Sequence, residues 1–313
     1  MILVAGPSPA FQQRMVFDAL SMDAVNRARE VEALPCGKPV NCGRALHRLG
    51  VPSRTVIFLG GGMGAWIGRY LDGEGIPYRA VPCGAETRIA CTVFESASGR
   101  TTELVENARR VTDEEAAAFL AAAREELASA KALLLAGSLP EGFPASIYRD
   151  LAAEAVARGL PVVVDAQGAA LLAALEARPT VCKPNRAELA AATGLPTRTP
   201  EERARAMEEL RRRGARAVVV SDGAREVAVL SDEGLELLEP PKVKLRNAIG
   251  SGDVLASAVV SRLAEGAPLR EAVRWGVACA AANASGPGYA RVDPAAARGL
   301  LDAWSPARSP RRG

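Results

Sequence analysis

Ala132-Leu133-Leu134-Leu135 and Val162-Val163-Val164-Asp165 are short apolar runs, separated by a stretch of helical spacing at 145–158 that Pro144 introduces and Gly159 ends. Neither run alternates polar with apolar residues, so each reads as a strand covered on both faces. A helix between two such strands is long enough to return the chain to the same edge, which makes the pair parallel and the helix a crossover. The last residue of the second run, Asp165, is the one carboxylate in it.

The same alternation extends in both directions. Strands are expected at 2–5, 55–59, 180–183 and 217–221, and helices at 41–49, 65–71, 113–129, 186–193 and 201–213. The fold class is therefore α/β, with a central, mostly parallel sheet and helices on both faces. Two stretches break the rhythm. Residues 9–38 have mixed polarity, while 92–95 and 101–105 flank Ser96-Ala97-Ser98-Gly99 like a hairpin, so segments 10–38 and 86–107 are expected to form a small β-rich lid. A second hairpin is expected at 227–238, followed by Ala-rich helices at 254–264 and 269–284 and a last helix at 293–304. Residues 1–304 then make one domain, and the Pro/Arg/Ser tail 305–313 is expected to be disordered.

Composition excludes several classes of function. With 49% hydrophobic, 24% charged and only 4% aromatic residues, the 313-residue chain builds its interior from Ala, Val and Leu. Lys and Arg number 39 against 36 Asp and Glu, and part of the excess lies in the tail at Arg308, Arg311 and Arg312, so no basic face for nucleic acid is implied. Six cysteines without a C-x-x-C pair read as reduced thiols of a cytoplasmic protein, not as a zinc site. His47 is the single histidine, in an apolar helical setting, which excludes histidine-based catalysis. No apolar run approaches ~18 residues, and no basic segment precedes the apolar start, so neither a membrane span nor a signal peptide is expected.

The segment with the most chemistry is Asn247-Ala248-Ile249-Gly250-Ser251-Gly252-Asp253, placed before a long apolar helix. Small residues at a helix start let amides converge on an anion such as a transferred phosphoryl group. Asp253 opens the helix within reach of an attacking hydroxyl, and the helix dipole should lower its pKa. Read alone, the segment is equally a turn followed by a capping carboxylate. Lys183-Pro184-Asn185-Arg186-Ala187-Glu188 stops a strand and starts a helix with a capping-box pattern. Ser221-Asp222-Gly223 and Gly137-Ser138-Leu139-Pro140 also follow strands, where open α/β sheets meet ligands. Gly37-Lys38 with Asn41 places a cation and an amide at a helix start, and Arg88 lies in the lid, where it could meet a substrate phosphate; read alone, both cations are also ordinary surface charges. Gly37-Lys38 lacks P-loop spacing, and Gly60-Gly61-Gly62-Met63-Gly64-Ala65 lacks the acidic residue a dinucleotide site needs further on, which disfavours both of those nucleotide motifs.

In order along the chain, Pro9-Ala10, Gly37-Lys38 with Asn41, Gly60-Gly61, Thr87-Arg88, Gly137-Ser138-Leu139-Pro140, Asp165, Lys183-Pro184-Asn185 with Glu188, and 250–253 resemble the PfkB/ribokinase family, and more closely its branch of 1-phosphofructokinase and tagatose-6-phosphate kinase. The resemblance implies a ribokinase-like core with a β lid, ATP beside the Gly250, Ser251 and Gly252 amides, and Asp253 as catalytic base. It implies Mg²⁺ carried with the nucleotide near Asn185 and Glu188, with Lys183, Ser221, Gly223 and Asn283 lining the nucleotide site. The acceptor, a ketohexose phosphate of the fructose 1-phosphate or tagatose 6-phosphate type, would meet Gln12, Gly37, Lys38, Asn41, Arg88 and Ser138, and the lid could pair across a homodimer. The departures fall on that acceptor side: Gln12 where the branch has Asp, Pro39 where it has Gly, and Ala90 and Val105 where it has Asn. Losing such hydrogen-bonding groups costs roughly 1–3 kcal/mol each and changes substrate preference. Two alternatives share the fold: a kinase of a free sugar or nucleoside, and a catalytically silent ligand-binding homologue.

Overall fold

In the computed structural model, which describes residues 1–304, two sheets divide the work. The large sheet is built from β1 (Ile2–Ala5), β4 (Ser53–Leu59), β5 (Tyr78–Pro82), β8 (Ala132–Ala136), β9 (Val162–Asp165), β10 (Val181–Cys182), β11 (Ala217–Val220), β12 (Val227–Ser231) and β13 (Gly234–Leu238). The small sheet contains β2 (Ala10–Phe17), β3 (Glu30–Cys36), β6 (Ile89–Glu95) and β7 (Arg100–Val105). Helices α1 (Lys38–Arg48), α2 (Gly61–Glu74), α3 (Asp113–Leu127), α4 (Ser146–Ala157), α5 (Gly168–Leu175), α6 (Arg186–Thr193), α7 (Pro200–Arg212), α8 (Ser251–Ala264), α9 (Leu269–Ser285) and α10 (Pro294–Ala303) complete it.

The large sheet runs β13-β12-β11-β10-β9-β8-β1-β4-β5, parallel from β5 to β11 and antiparallel only in the β11-β12-β13 edge. Its central strands are apolar throughout because both faces are covered. Phe119 of α3, Tyr148 and Leu151 of α4, Leu175 of α5 and Leu210 of α7 seal one face. Cys42 and Leu46 of α1, Leu255 and Val259 of α8, and Val273 and Val277 of α9 seal the other. From β1 the chain builds outward to β4 on one side and β8 on the other, so a crevice opens beyond the carboxyl ends of these strands. Gly6 lies in it, where a Cβ would stand 2.2 Å from the Ala136 carbonyl oxygen and 2.7 Å from Pro39.

The small sheet, ordered β3-β2-β6-β7, forms from the two stretches that broke the strand–helix rhythm, and its hairpin turns at Glu95↔Arg100 around 96–99. Two elements, α5 and β5, went unread in the sequence. α5 has no side-chain cap hydrogen bond to announce it, and β5 is a short edge strand ending in Pro82. α1 starts at Lys38, with Pro39 in its first turn, three residues before the expected start. The tail 305–313 lies outside the described residues.

Candidate active site

The turn 250–253 stands at the start of α8, whose N-cap Gly250 has φ +78°. A Cβ there would lie 3.0 Å from the Ala290 amide nitrogen, so both the backbone angle and the space require glycine. Asp253 is the third residue of α8 and not its opener. Among the described residues no acceptor takes the amides of Gly250, Gly252 and Asp253, whereas Ser251 N–H already donates to the Ala248 carbonyl at 3.2 Å. The expected run of three amides at 250, 251 and 252 is thus shifted: Gly250, Gly252 and Asp253 remain open to an anion. The Lys183 ammonium stands 3.5 Å from where a Cβ on Gly252 would be, adding a cation to the same spot.

Asp253 is 7% exposed and accepts a hydrogen bond from Asn41 Nδ2 at 2.7 Å. Burial first, and then the Asp165 carboxylate, push its pKa up to about 7, against the opposing pull of Lys38, Asn41 and Lys183. The dipole argument predicted the opposite sign. It fails because desolvation of a buried carboxylate and a second negative charge outweigh a helix terminus.

Asp165, at the end of β9 and fully buried, links the two ends of the site. Its Oδ1 accepts from Lys38 Nζ at 2.6 Å, and its Oδ2 lies 3.2 Å from Lys183 Nζ. Burial alone would raise its pKa, but Lys183 and Lys38 bring it below the ordinary value. Lys38 also donates to Glu188 Oε1 at 2.9 Å. Burial works against its charge, yet Asp165, Glu188 and Asp253 raise its pKa above that of a free lysine. Lys38 therefore sits within the carboxylate cluster formed by Asp165 and Glu188.

On the nucleotide side, Asn185 and Glu188 form a reciprocal capping box at the start of α6, with Glu188 Oε2 accepting from Asn185 N–H at 2.9 Å. Ser221 pairs with Asn185 as an isolated bridge, and Gly223 has φ +61° with open space beside it. Asn283, expected to line the nucleotide, is 1% exposed and donates to the Ile249 carbonyl at 3.2 Å and Ser251 Oγ at 3.0 Å, so it braces the turn from behind. Glu188 and Asn185, whose side-chain oxygens also close the capping box, are hard oxygen donors of the kind Mg²⁺ takes. Among the described residues no group of three or more His, Cys, Asp or Glu gathers as a metal cage.

On the acceptor side, Gly37 caps α1 with φ +93°, close against Ser8 and Pro9. Gln12 is buried in β2 and donates to Thr92 Oγ1 at 2.8 Å. Arg88 has no carboxylate partner among the described residues; it donates to the carbonyls of Ser8, Pro9 and Glu106 at 3.2–3.4 Å, joining three connections between lid and core. A cavity lined by Ser8, Thr87, Arg88, Arg109 and Pro140 opens at that junction. Ser138 is half-buried just beyond β8. Asn41 is oriented by Arg44, 1% exposed, whose guanidinium reaches Asn41 Oδ1 at 3.5 Å, Glu74 at 3.0 Å and the Pro35 carbonyl at 3.1 Å. The hub role of Asp165 and the bracing role of Arg44 escaped the sequence reading. The one available signal was an acid closing an apolar strand.

A turn with open amides and a buried carboxylate of raised pKa beside it thus stands at the carboxyl edge of a doubly covered α/β sheet. A family model described as pfkB family carbohydrate kinase matches residues 12–296, and the chain belongs to that family. Among solved structures it is similar to phosphofructokinase-2 from Escherichia coli. The tetrameric inhibited form of that protein is 27% identical with a TM-score of 0.86, and its complex with fructose-6-phosphate is 26% identical with a TM-score of 0.84; each comparison covers 96% of this chain and 98% of the other. A possible 1-phosphofructokinase from Thermotoga maritima, 24% identical over 99% of this chain and 100% of that one, has a TM-score of 0.88. Arabidopsis thaliana ribokinase, 22% identical over 97% and 99%, has a TM-score of 0.76. The last two show the shared fold.

Proposed function

We propose that the protein is a sugar-phosphate kinase, transferring the γ-phosphoryl group of MgATP to a hydroxyl of a ketohexose phosphate of the fructose 1-phosphate or tagatose 6-phosphate type. The observation that carries this reading is the meeting of three things at one turn: open amides of Gly250, Gly252 and Asp253, the Lys183 ammonium beside them, and the Asp253 carboxylate held by Asn41. Asp253 takes the proton of the attacking hydroxyl. The amides and Lys183 stabilise charge on the migrating group. Lys38, held by Asp165 and Glu188, brings a second cation to the site. Arg88 is then left as the cation for an acceptor phosphate, exchanging backbone carbonyls for it. When bound, Mg²⁺ supplies charge neutralisation on the nucleotide phosphates, with Asn185 and Glu188 nearest. Residues 1–304 act as one unit with the lid folded over the acceptor, and six unpaired thiols suit a cytoplasmic setting.

A release-of-ADP assay over hexoses, pentoses, their monophosphates and nucleosides tests the reading. Turnover restricted to phosphorylated sugars supports it, and turnover of free sugars or nucleosides alone replaces it. The lid also supports a homodimer. All of β7 is exposed, including Leu104 at 60% and Val105 at 56%, a poor arrangement for a free sheet edge. Sedimentation of Leu104→Lys should show dissociation relative to the unaltered chain; equal masses for both would remove the lid as the interface.

A further inference from the structure

Arg44 of α1 is among the largest side chains that are fully buried, and it carries a permanent charge into the core. A guanidinium has five donors and no acceptor, so burial demands an opposite charge and several acceptors around it. Glu74, the last residue of α2, supplies the charge: its Oε2 accepts from Arg44 Nε at 3.0 Å. Glu74 Oε1 accepts from Arg291 Nη2 at 2.8 Å, so the same carboxylate is held from its far side by the residue after Ala290, which itself lies against Gly250. The Pro35 carbonyl takes Arg44 Nη2 at 3.1 Å. These contacts fix where the guanidinium stands.

Its remaining contact has a direction. Arg44 and Asn41 are three residues apart on α1 and share a face of that helix. Arg44 Nη1 points to Asn41 Oδ1 at 3.5 Å, and Asn41 Nδ2 donates to Asp253 Oδ2 at 2.7 Å. A side-chain amide carries its acceptor on one side and its donors on the other. Turned over, Asn41 would set its NH₂ group against the donors of a cation and its oxygen against a carboxylate, replacing two attractive contacts with two repulsive ones. At 3.5 Å the Arg44–Asn41 contact is too long to be strong, so it contributes this polarity more than binding energy.

We infer that Arg44 is a positioning residue for the reaction: without touching a reacting atom, it holds the Asn41 amide in the orientation that donates to Asp253. The inference rests on the kinase reading above, with Asp253 as base, and deepens it. A donor to the ionised carboxylate favours the form that accepts a proton, so losing that donor raises the pH at which the base becomes active. The charges that face Asp253 are Asp165 at the end of β9, Lys38 of α1 and Lys183 after β10, and none of the three is a partner of Arg44 in the contacts above. Cys36 and Cys42 also face it, as thiols whose pKa burial raises. The charge of Arg44 is balanced by Glu74, which leaves the amide as its route to Asp253.

The test follows ADP release across pH, with fructose 1-phosphate and tagatose 6-phosphate as acceptors, for the unaltered protein, Arg44→Met, Asn41→Ala and the double variant. A hydrogen bond to a charged group is worth about tenfold or more, so the acid limb of the kcat/KM profile should move up by about one pH unit in Arg44→Met. In the Asn41→Ala background the same change should move it by less than about 0.3 pH unit, because the route is already cut. Equal shifts in both backgrounds, or no shift in either, make Arg44 merely structural and overturn the inference. Arg44→Lys keeps a cation for Glu74 but lacks the planar fork, and it serves if Arg44→Met does not fold: its acid limb should also rise, and an unmoved limb overturns the inference. If the unaltered protein turns over neither acceptor, the sugar-phosphate kinase reading fails separately. Carbon-13 NMR of the Asp253 carboxyl group, assigned with Asp253→Asn, then decides: a higher titration point in Arg44→Met than in the unaltered protein supports the positioning role, and an unchanged one overturns it.

Discussion

Replacing Asp165 by Asn removes one negative charge from the centre of the site and leaves its shape nearly unchanged. Asp165 is fully buried, with Lys38 Nζ at 2.6 Å and Lys183 Nζ at 3.2 Å. Lys38 keeps Glu188 as a partner, but Lys183, whose side chain is 4% exposed, loses the one carboxylate within ion-pair distance among the described residues. Breaking a buried pair from one side costs about 3–5 kcal/mol, because the remaining charge stays desolvated. For a chain of this size each kcal/mol moves Tm by about 2–4 °C, so calorimetry should show a fall of at least about 6 °C. A second effect separates this from general damage. The Asp165 charge is the second cause, after burial, of the raised Asp253 pKa, so removing it lowers that pKa from about 7. A base must be deprotonated to act, so the acid limb of the kcat/KM profile should move to lower pH. An unchanged Tm together with an unmoved limb would refute both the buried-hub reading and the identity of the base.

Asp253→Asn should reduce kcat by about 100-fold or more with ATP binding retained, measured by steady-state kinetics and calorimetry. The same variant should be more stable at pH 8. The folded pKa of about 7 lies above the ordinary 3.8, so the stability contributed by the protonated form is full below pH 3.8 and lost as pH rises to about 7. The Tm difference between variant and parent should therefore shrink toward pH 4. Gly250→Ala forces a Cβ into φ +78° and within 3.0 Å of the Ala290 nitrogen, so it should lower stability by about 1–3 kcal/mol in urea denaturation and depress kcat more than it raises KM. Lys38→Met, tested by kinetics, should lower kcat by about 100-fold, whereas loss confined to KM for the acceptor would return Lys38 to an acceptor-phosphate role.

The parallel strands were legible because burial on both faces demands uninterrupted apolar runs, as in Val162-Val163-Val164 and Leu133-Leu134-Leu135. The glycine turn at 250–253 was legible for a similar local reason: Gly250 needs a positive φ, and small residues before a long apolar helix write that need into the chain. Less local features were not. α5 has Ala and Leu but no cap, and β5 is short and mixed, so neither carried a pattern strong enough to stand without its neighbours.

The chain order alone determined the α/β class, the two stretches that form the small sheet, and the glycine turn beside Asp253, since each follows from backbone conformation and burial along a few consecutive residues. Only the tertiary structure decided the electrostatics. It brought Asp165, 88 positions from Asp253, close enough to raise that carboxylate's pKa, and turned Lys38 inward to Asp165 and Glu188. Charges act through space and desolvation depends on what surrounds a group from every side, so the sign of the Asp253 shift could not be read from its helix alone.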